Sequence, residues 1–309
     1  MDSTPSGSGP RGEDWLRNGG SRSSVAGSHA FTSGSGPAWL TRNQGDHIET
    51  ISEDATCAQV DPLRLCQFLL SQCQARGVQL HQPASAVSST TSKGKLVSVT
   101  LSTGTEIPCT TLLVSAGAWT PRVFGDLFLR SGVRVPISSL AGHSLILRSP
   151  RWAVADEGDC HAVFSTLESG LSPEIFSRVG GEIYVAGLNS SSIKLPERAT
   201  DAVVEKEAID TLKGVGEKML GLGGDGESDL EVLREGLCFR PVTPRGTPIL
   251  SRVEDKDLGL QQGAAGEGGV FVAAGHGPWG ISLSLGTGLV MAEMMTGRKT
   301  SARVKGLGL

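Results

Sequence analysis

The segment from residue 269 to residue 288 most constrains what this chain can fold into. Its apolar start, Val270 to Ala274, predicts a buried β-strand, and the apolar run near its end predicts a helix over about 281–295. Between them stand the three glycines of a G-x-G-x-x-G pattern, namely Gly275, Gly277 and Gly280. Too few residues follow the helix to supply the second strand and the acidic residue that a dinucleotide fingerprint needs roughly 20 positions later. Taken as that fingerprint, the match fails.

Two interpretations of this strand–turn–helix stay open on the sequence alone. Backbone N–H groups at the N-terminus of the helix can face an anionic or electron-accepting edge of a ligand. Alternatively, the glycines serve only a tight turn that needs positive φ angles and close packing.

The composition is that of an ordinary globular chain and excludes several classes of protein. With 309 residues, 38% of them hydrophobic, the chain can bury a substantial core in one large or two modest domains. A net charge of -4 with both signs interspersed argues against nucleic acid and anionic membranes as partners. No apolar stretch has the length of a membrane span, and the N-terminus has no signal-peptide pattern. A cytoplasmic protein is therefore predicted.

The six cysteines show no metal or disulfide pattern. They stand at scattered positions without a C-x-x-C pair, and no histidines have the spacing of metal ligands. Cys66 and Cys73 lie two turns apart on one predicted helix, where we expect them to pack as small apolar residues. Neither a metal site nor a disulfide framework is predicted.

Two helices stand out besides the last one. Asp61 and Pro62 favour a helix start, and Gly77 favours its end. Its expected buried face consists of Leu63, Cys66, Leu69, Leu70 and Cys73. The second helix is expected over 201–220, with Val204, Ala208, Leu212, Val215 and Met219 on one face.

The strand patterns are of two kinds. A fully buried strand is predicted at 111–116, and it is followed by Gly117, where a ligand would meet the carboxyl end of a central strand. Alternating or shorter apolar runs predict further strands at 78–81, 95–101, 105–108, 134–137, 143–148, 162–165, 182–187 and 231–240. Those between 133 and 190 suggest antiparallel pairing. The chain therefore combines α/β with α+β structure.

Several sequence blocks also line up in order along the chain. They are Ala58-Gln-Val-Asp-Pro with Arg76-Gly-Val, Leu112-Leu-Val-Ser-Ala-Gly-Ala-Trp-Thr, Ala141-Gly-His-Ser, Gly236-Leu-Cys-Phe-Arg-Pro-Val-Thr-Pro-Arg-Gly-Thr-Pro-Ile, and Ala274-Gly-His-Gly-Pro-Trp-Gly with Gly286-Thr-Gly. With this ordered set, from about residue 38 to 298, the chain resembles the FAD-dependent oxidoreductases of the D-amino acid oxidase, glycine oxidase and sarcosine oxidase superfamily. Its closest resemblance is to the fungal-type members.

The resemblance implies a FAD/NAD(P)-binding, Rossmann-like domain interleaved with an antiparallel-sheet substrate domain. We expect a FAD-binding-like region at 38–132 and 249–300, a substrate-domain-like region at 133–248, and a tail at 301–309. Family members open with a strand, a G-x-G-x-x-G turn, a helix and an acidic residue that hold the diphosphate and ribose of FAD. Nothing before residue 58 resembles this unit, and residues 1–37 are rich in Ser, Gly and Pro, which predicts loops or disorder. The Rossmann-like domain is therefore expected to be incomplete at its N-terminus.

The resemblance also assigns candidate site residues. Arg240 falls where amino-acid oxidases place an arginine against the substrate carboxylate, and a guanidinium can hold a carboxylate bidentately. His276 matches the loop beside the flavin ring; both residues have a purely structural alternative. The remaining candidates are cofactor contacts: Val87 near adenine, Gly117, Ala118 and Trp119 at the strand end, and Gly275, Gly277, Gly280 and Ile281 at the turn and helix start. Cys238 stands near the position where sarcosine oxidases attach flavin covalently, although a buried inert thiol is the favoured expectation.

The implied function is that of an amine or amino-acid oxidase with FAD as cofactor and a small amine or amino acid as substrate. Flavin would take a hydride from a C–H next to nitrogen, and oxygen would reoxidise it. The alternative is a non-catalytic remnant of the same fold that acts by protein interaction.

Overall fold

The computed structural model describes residues 32–33, 36–43, 46–50, 58–152, 161–264 and 266–309. The loops or disorder predicted for residues 1–37 fall almost entirely outside this range. The chain divides into two compact units, and we describe each by itself. Unit 1 comprises the described parts of 1–65 and 141–238, and unit 2 comprises those of 66–140 and 239–309.

The described elements are numbered in chain order. The strands are β1 (Thr32–Ser33), β2 (Glu49–Thr50), β3 (Ala86–Ser92), β4 (Lys95–Leu101), β5 (Glu106–Pro108), β6 (Thr111–Val114), β7 (Ser138–Arg148), β8 (Ala162–Phe164), β9 (Glu174–Arg178), β10 (Glu182–Ser190), β11 (Glu231–Val242), β12 (Ile249–Arg252) and β13 (Gly269–Ala274). The helices are α1 (Pro62–Gln74), α2 (Thr120–Leu127), α3 (Lys206–Leu220) and α4 (Gly280–Met295).

Unit 1 is built around a sheet with the strand order β11-β7-β10-β9-β8. Strand β10 pairs antiparallel with both β7 and β9, as the alternating patterns between 133 and 190 predict. Helix α3 contributes Ile209, Leu212, Val215 and Leu220 to a core that also contains Leu145, Ile175 and Ile183 from the sheet. Because α3 is amphipathic, its apolar side is buried here and its charged side remains in water.

Unit 2 contains two sheets of three strands. In the first, of order β12-β13-β6, strand β13 pairs parallel with β6 and antiparallel with β12. Both key strands predicted from sequence thus share one sheet, which confirms the mixed α/β architecture. In β13, Val270 and Val272 belong to one buried cluster, while Phe271 and Ala273 belong to another with Met291 of α4. In the second sheet, β3-β4-β5, the strands predicted at 95–101 and 105–108 appear as β4 and β5, and each is paired antiparallel with its neighbour.

Some local predictions are wrong, and each has a physical reason. Residues 78–81 form no strand, because within the described chain no neighbour pairs with them, and Val78 and Leu80 stay about half exposed. The strand follows instead at β3, whose serines and threonines hide any apolar alternation. Residues 134–137 are also irregular, since Pro136 has no N–H to donate to a ladder.

One helix boundary, one strand and one burial pattern also differ from the predictions. The helix expected from 201 begins at Lys206, after a 3-10 turn at Ala199–Asp201. Strand β9 was not predicted. In the strand expected to be fully buried at 111–116, Val114 is buried whereas Leu112 and Leu113 are partly exposed.

Helix α1 has the predicted ends but not the predicted burial. The N–H of Arg64 donates to Asp61 Oδ1 at 2.9 Å, so Asp61 caps the helix, and Gly77 has the positive φ of a C-terminal cap. Yet no residue of α1 is buried, and its expected inner face (Leu63, Cys66, Leu69, Leu70 and Cys73) is exposed. No described element covers this face.

No helix in the described ranges is both long and apolar enough to cross a membrane.

Candidate functional site

The parallel pairing of β6 and β13 brings two chain segments to one edge of the sheet in unit 2. In the register of this pair Thr111 lies beside Gly269 and Val114 beside Val272. Both strands run in the same direction, so the residues that follow them, from Ser115 and from Gly275, leave the sheet at the same edge. This is the edge where open α/β sheets bind ligands.

The two segments that leave this edge share one local design. Each passes through a glycine with φ of +55°, Gly117 after β6 and Gly277 after β13. Each then makes a three-residue 3-10 turn that ends in a tryptophan and continues as a helix, α2 or α4. Neither helix has a side-chain hydrogen bond at its N-cap. The positive ends of both helix dipoles are thus left without a side-chain cap.

Gly275 is required by a close approach as well as by its backbone angle. Its φ is +85°, and a Cβ atom there would lie 2.4 Å from Cγ2 of Thr243. The hydroxyl of Thr243 in turn donates to the carbonyl of Thr247 at 2.7 Å, which fixes the threonine. The glycine therefore allows the turn to lie directly on residue 243.

A cavity of about 530 Å³ lies beside these turns, between the sheet and helix α4. It is lined by Leu113, Ser115, Ala273, His276, Gly280, Ser284, Thr287, Gly288, Met291, Ala292, Met295 and Thr296. No Asp, Glu, Lys or Arg is among these lining residues. The cavity therefore offers apolar walls with a few uncharged hydrogen-bonding groups, as small-molecule and cofactor sites do.

His276 is the titratable residue of this cavity. Its Nε2 lies 2.9 Å from the hydroxyl oxygen of Thr287 on α4, which orients the ring. Burial lowers the pKa of His276 from its usual value near 6.5. At neutral pH the imidazole is therefore uncharged and can both donate and accept a hydrogen bond.

The structure brings together most of the sequence-predicted site residues. His276 and Gly280 line the cavity, while Gly275, Gly277 and Ile281 belong to the same turn and helix start. Gly117, Ala118 and Trp119 form the matching turn after β6, and the ring of Trp119 meets Phe239 edge-on with centroids 6.1 Å apart.

Three candidates lie elsewhere. Val87 is on β3, in the other sheet of unit 2, with its side chain 45% exposed. Arg240 is half-buried on β11. The expectation that Cys238 is buried is wrong, because Cys238 is exposed. Its Sγ lies 3.7 Å from the carbonyl oxygen of Gly142. The functional roles of these residues stay predictions.

Sequence reasoning missed several lining residues, Thr287 above all. Thr287 stands eleven positions after His276. The two side chains meet because α4 places Thr287 next to the turn that contains His276. One signal was available, since Thr287 is a polar residue placed between Gly286 and Gly288 in a helix of mostly apolar residues. Ser115 and Ser284 gave no comparable signal.

Comparisons with known proteins agree with this geometry. Residues 34–294 match the DAO family, described as FAD dependent oxidoreductase. The TDA3 protein of Saccharomyces cerevisiae is 28% identical over 204 residues, which are 63% of this chain and 34% of TDA3. A D-amino acid dehydrogenase of Methylobacterium sp. (strain 4-46) is 27% identical over 237 residues, 75% of this chain and 47% of that protein. The chain thus spans less than half the length of these relatives.

Solved structures show the same fold. The glycine oxidase of Geobacillus kaustophilus superposes with a TM-score of 0.59 at 18% identity, covering 79% of this chain and 56% of that one. The iminodiacetate oxidase of Chelativorans sp. BNC1 gives 0.57 at 18% identity, with 79% and 57% covered. At these identities the likeness concerns the fold alone, whereas the family match extends over most of the chain. The chain therefore belongs to the DAO family of FAD-dependent oxidoreductases.

Proposed function

We propose that this chain is the flavin-ring and substrate-binding part of an amine or amino-acid oxidoreductase that uses FAD. The observation that carries this proposal is the uncharged cavity beside two matched glycine turns, with His276 oriented by Thr287 on its wall. Family membership supports it. Relatives named D-amino acid dehydrogenase and a neighbour named glycine oxidase support a small amino acid as the substrate.

The lining residues fit one end of FAD better than the other. A flavin ring is a flat, largely apolar group with polar edges, and the cavity offers apolar walls with Ser115, His276 and Thr287 as polar partners. A diphosphate carries two negative charges, and no cationic side chain lines the cavity to neutralise them. Among the described residues, no strand–glycine turn–helix leads on to a second strand with an acidic end. We therefore assign the ring end of FAD to this cavity and leave the Val87 contact with adenine as a prediction.

The tasks proposed for α4 and His276 follow from their surroundings, and the task proposed for Arg240 follows from the family resemblance. When bound, FAD would accept a hydride from a substrate C–H next to nitrogen, and oxygen would reoxidise it. The N-terminus of α4 would stabilise negative charge on a ring edge through its dipole. Neutral His276 would hydrogen-bond without adding a charge, and Arg240 would hold the substrate carboxylate with its planar guanidinium.

The alternative is a non-catalytic protein of this fold that acts by interaction. The family match favours the oxidoreductase, because both glycine turns, helix α2 and helix α4 as far as Met294 lie within the matched residues. The cytoplasmic location and the absence of a nucleic-acid partner stay predictions.

Flavin titration tests the proposal directly. If the cavity takes the ring end, then FAD, FMN and riboflavin should each bind, as measured by quenching of flavin fluorescence, with affinities within roughly tenfold of one another. FAD binding much more tightly than riboflavin would contradict the assignment of the ring alone to this chain. If FAD, FMN and riboflavin all fail to bind, the result would contradict the proposal and would support the alternative of a non-catalytic protein that acts by interaction.

A pair of threonine variants locates the site. Thr287→Val removes the hydroxyl that orients His276. The variant should weaken flavin binding by roughly tenfold, because the hydrogen bond that holds the His276 ring in place is lost. Thr211→Val is the matched control, since Thr211 lies on α3 of unit 1 and its hydroxyl bonds only the carbonyl of Glu207 in the same helix, among the described contacts. Equal effects of the two variants on binding would place the flavin elsewhere.

A further inference from the structure

Unit 2 contains a second cavity, of about 650 Å³, that the flavin proposal does not use. It lies beside helix α2 and the irregular segment that connects α2 to β7. Its walls include Phe124, Phe128 and Val135, all more than nine-tenths buried. The rings of Phe124 and Phe128 are tilted against each other with centroids 5.1 Å apart. The cavity is therefore lined mostly by apolar residues, two of them aromatic, together with polar groups.

One cationic residue, Arg134, lines this otherwise uncharged cavity. The other lining residues are apolar, glycine or serine, and the charged residues Arg122, Asp126 and Arg130 lie nearby in sequence but outside the lining. Arg134 is exposed, and within the described chain it has neither a hydrogen bond nor an ion pair. A guanidinium has five N–H donors in a planar fork that matches a carboxylate. Arg134, which has no partner among the described residues, therefore gives this mostly apolar lining one group that could hold the carboxylate head of a ligand with an apolar body.

We propose that this cavity binds a small monocarboxylate with a bulky apolar tail, its head on Arg134 and its tail against Phe124, Phe128 and Val135. The volume lies within the range of small-molecule sites, roughly 300 to 1,000 Å³. The site is separate from the flavin cavity, since the two share no lining residue. This proposal does not depend on the proposed function.

Two glycines give the cavity its space and provide a way to close it. A Cβ atom added to Gly125 or to Gly132 would meet no described atom within 4 Å, and both residues line the cavity. Gly125 lies inside helix α2, where most side chains are tolerated better than glycine. Gly125→Leu should therefore fill part of the cavity without unfolding the helix, and Gly125→Ala should leave most of the space free.

The test uses 3-phenylpropionate and its uncharged analogue 3-phenylpropionamide, with binding measured by isothermal titration calorimetry. We expect the acid to bind the full chain and the amide to bind at least tenfold more weakly. Arg134→Gln should weaken binding of the acid to the level of the amide. Gly125→Leu should abolish binding, whereas Gly125→Ala and the surface control Lys93→Gln should bind like the unchanged chain. Thermal unfolding of each variant separates loss of the site from loss of the fold.

Three results would overturn the proposal. The first is an absence of binding by the acid to the folded, unchanged chain. The second is equal binding of acid and amide, unaffected by Arg134→Gln, which would indicate apolar partitioning without a carboxylate site. Binding that survives Gly125→Leu would also place the ligand outside this cavity.

Discussion

Helix α3 of unit 1 and helix α4 of unit 2 are of similar length but differ in how their apolar residues are used. On α3, apolar residues such as Leu212 are fully buried, and the outer side carries ion pairs such as Lys206 with Asp210 at 2.9 Å. On α4, Val290 and Met291 near the C-terminus are buried, whereas the four large apolar residues before them remain largely exposed. Their exposed fractions are 49% for Ile281, 42% for Leu283, 62% for Leu285 and 53% for Leu289.

The difference shows where stability and where recognition reside in this chain. Full burial of a leucine side chain stabilises a fold by roughly 2 kcal/mol, and α3 obtains this for most of its apolar residues while α4 does not. Exposed apolar patches of this kind mark surfaces that meet a ligand or another polypeptide. The first half of α4 also lines the cavity that we propose binds the flavin ring, and β6 beside it pairs on one side only within the described sheet. Unit 2 therefore carries the surface on which function is expected.

The largest predicted effect contrasts one leucine from each helix. Leu212→Ala should lower the free energy of unfolding by about 2–5 kcal/mol, because it leaves a cavity in the core of unit 1. Leu285→Ala should change it by no more than about 0.5 kcal/mol, because that side chain is mostly in water. Urea denaturation of the two variants beside the unchanged chain measures both values.

A large cost for Leu285→Ala would break this comparison. It would mean that α4 is covered in solution, and sedimentation at several protein concentrations would then show whether a second copy of the chain covers it.

The same contrast explains what the sequence could and could not predict. Caps predicted α1, periodicity predicted α3, and apolar runs predicted α4 and the strands β6 and β13, because those signals are local and strong. Periodicity also predicted a buried face on α1, and this prediction is wrong. Periodicity reveals which residues share a side of a helix, but not whether a neighbour covers that side. At the site, Gly275 was found through a local pattern and His276 through the family resemblance. Thr287, Thr243 and both cavities depend on contacts between distant segments, which no local pattern encodes.

A smaller effect is predicted for the two matched glycine turns. Gly275→Ala should destabilise unit 2 by about 3 kcal/mol, because its Cβ would collide with Thr243 and its φ is positive. Gly117→Ala should cost only about 1 kcal/mol, because its φ is positive but its Cβ would meet no described atom within 4 Å. Thermal unfolding measures both. The double variant Gly275→Ala with Thr243→Ser, which removes the colliding methyl group, should recover most of the difference; no recovery would show that the collision is not the cause.

The smallest predicted effect concerns a histidine that helps to anchor α3 in unit 1. His143 is 3% exposed, and its Nε2 accepts the N–H of Glu205 just before α3 at 3.0 Å. Burial lowers the pKa of His143, partly offset by the Glu205 carboxylate, and protonation would also remove the acceptor. The unfolded chain, with a pKa near 6.5, thus binds the proton more readily than the folded chain. The contribution of His143 to stability is therefore fully present above about pH 6.5 and is lost as the pH falls below that value.

His143→Gln keeps an acceptor near the same place without titrating, so its free energy of unfolding should fall less between pH 7 and pH 5 than that of the unchanged chain. Parallel pH dependences for the two proteins would show that His143 is not a source of acid sensitivity, and the lowered pKa of His276 in unit 2 would then be the next candidate, tested in the same way with His276→Gln.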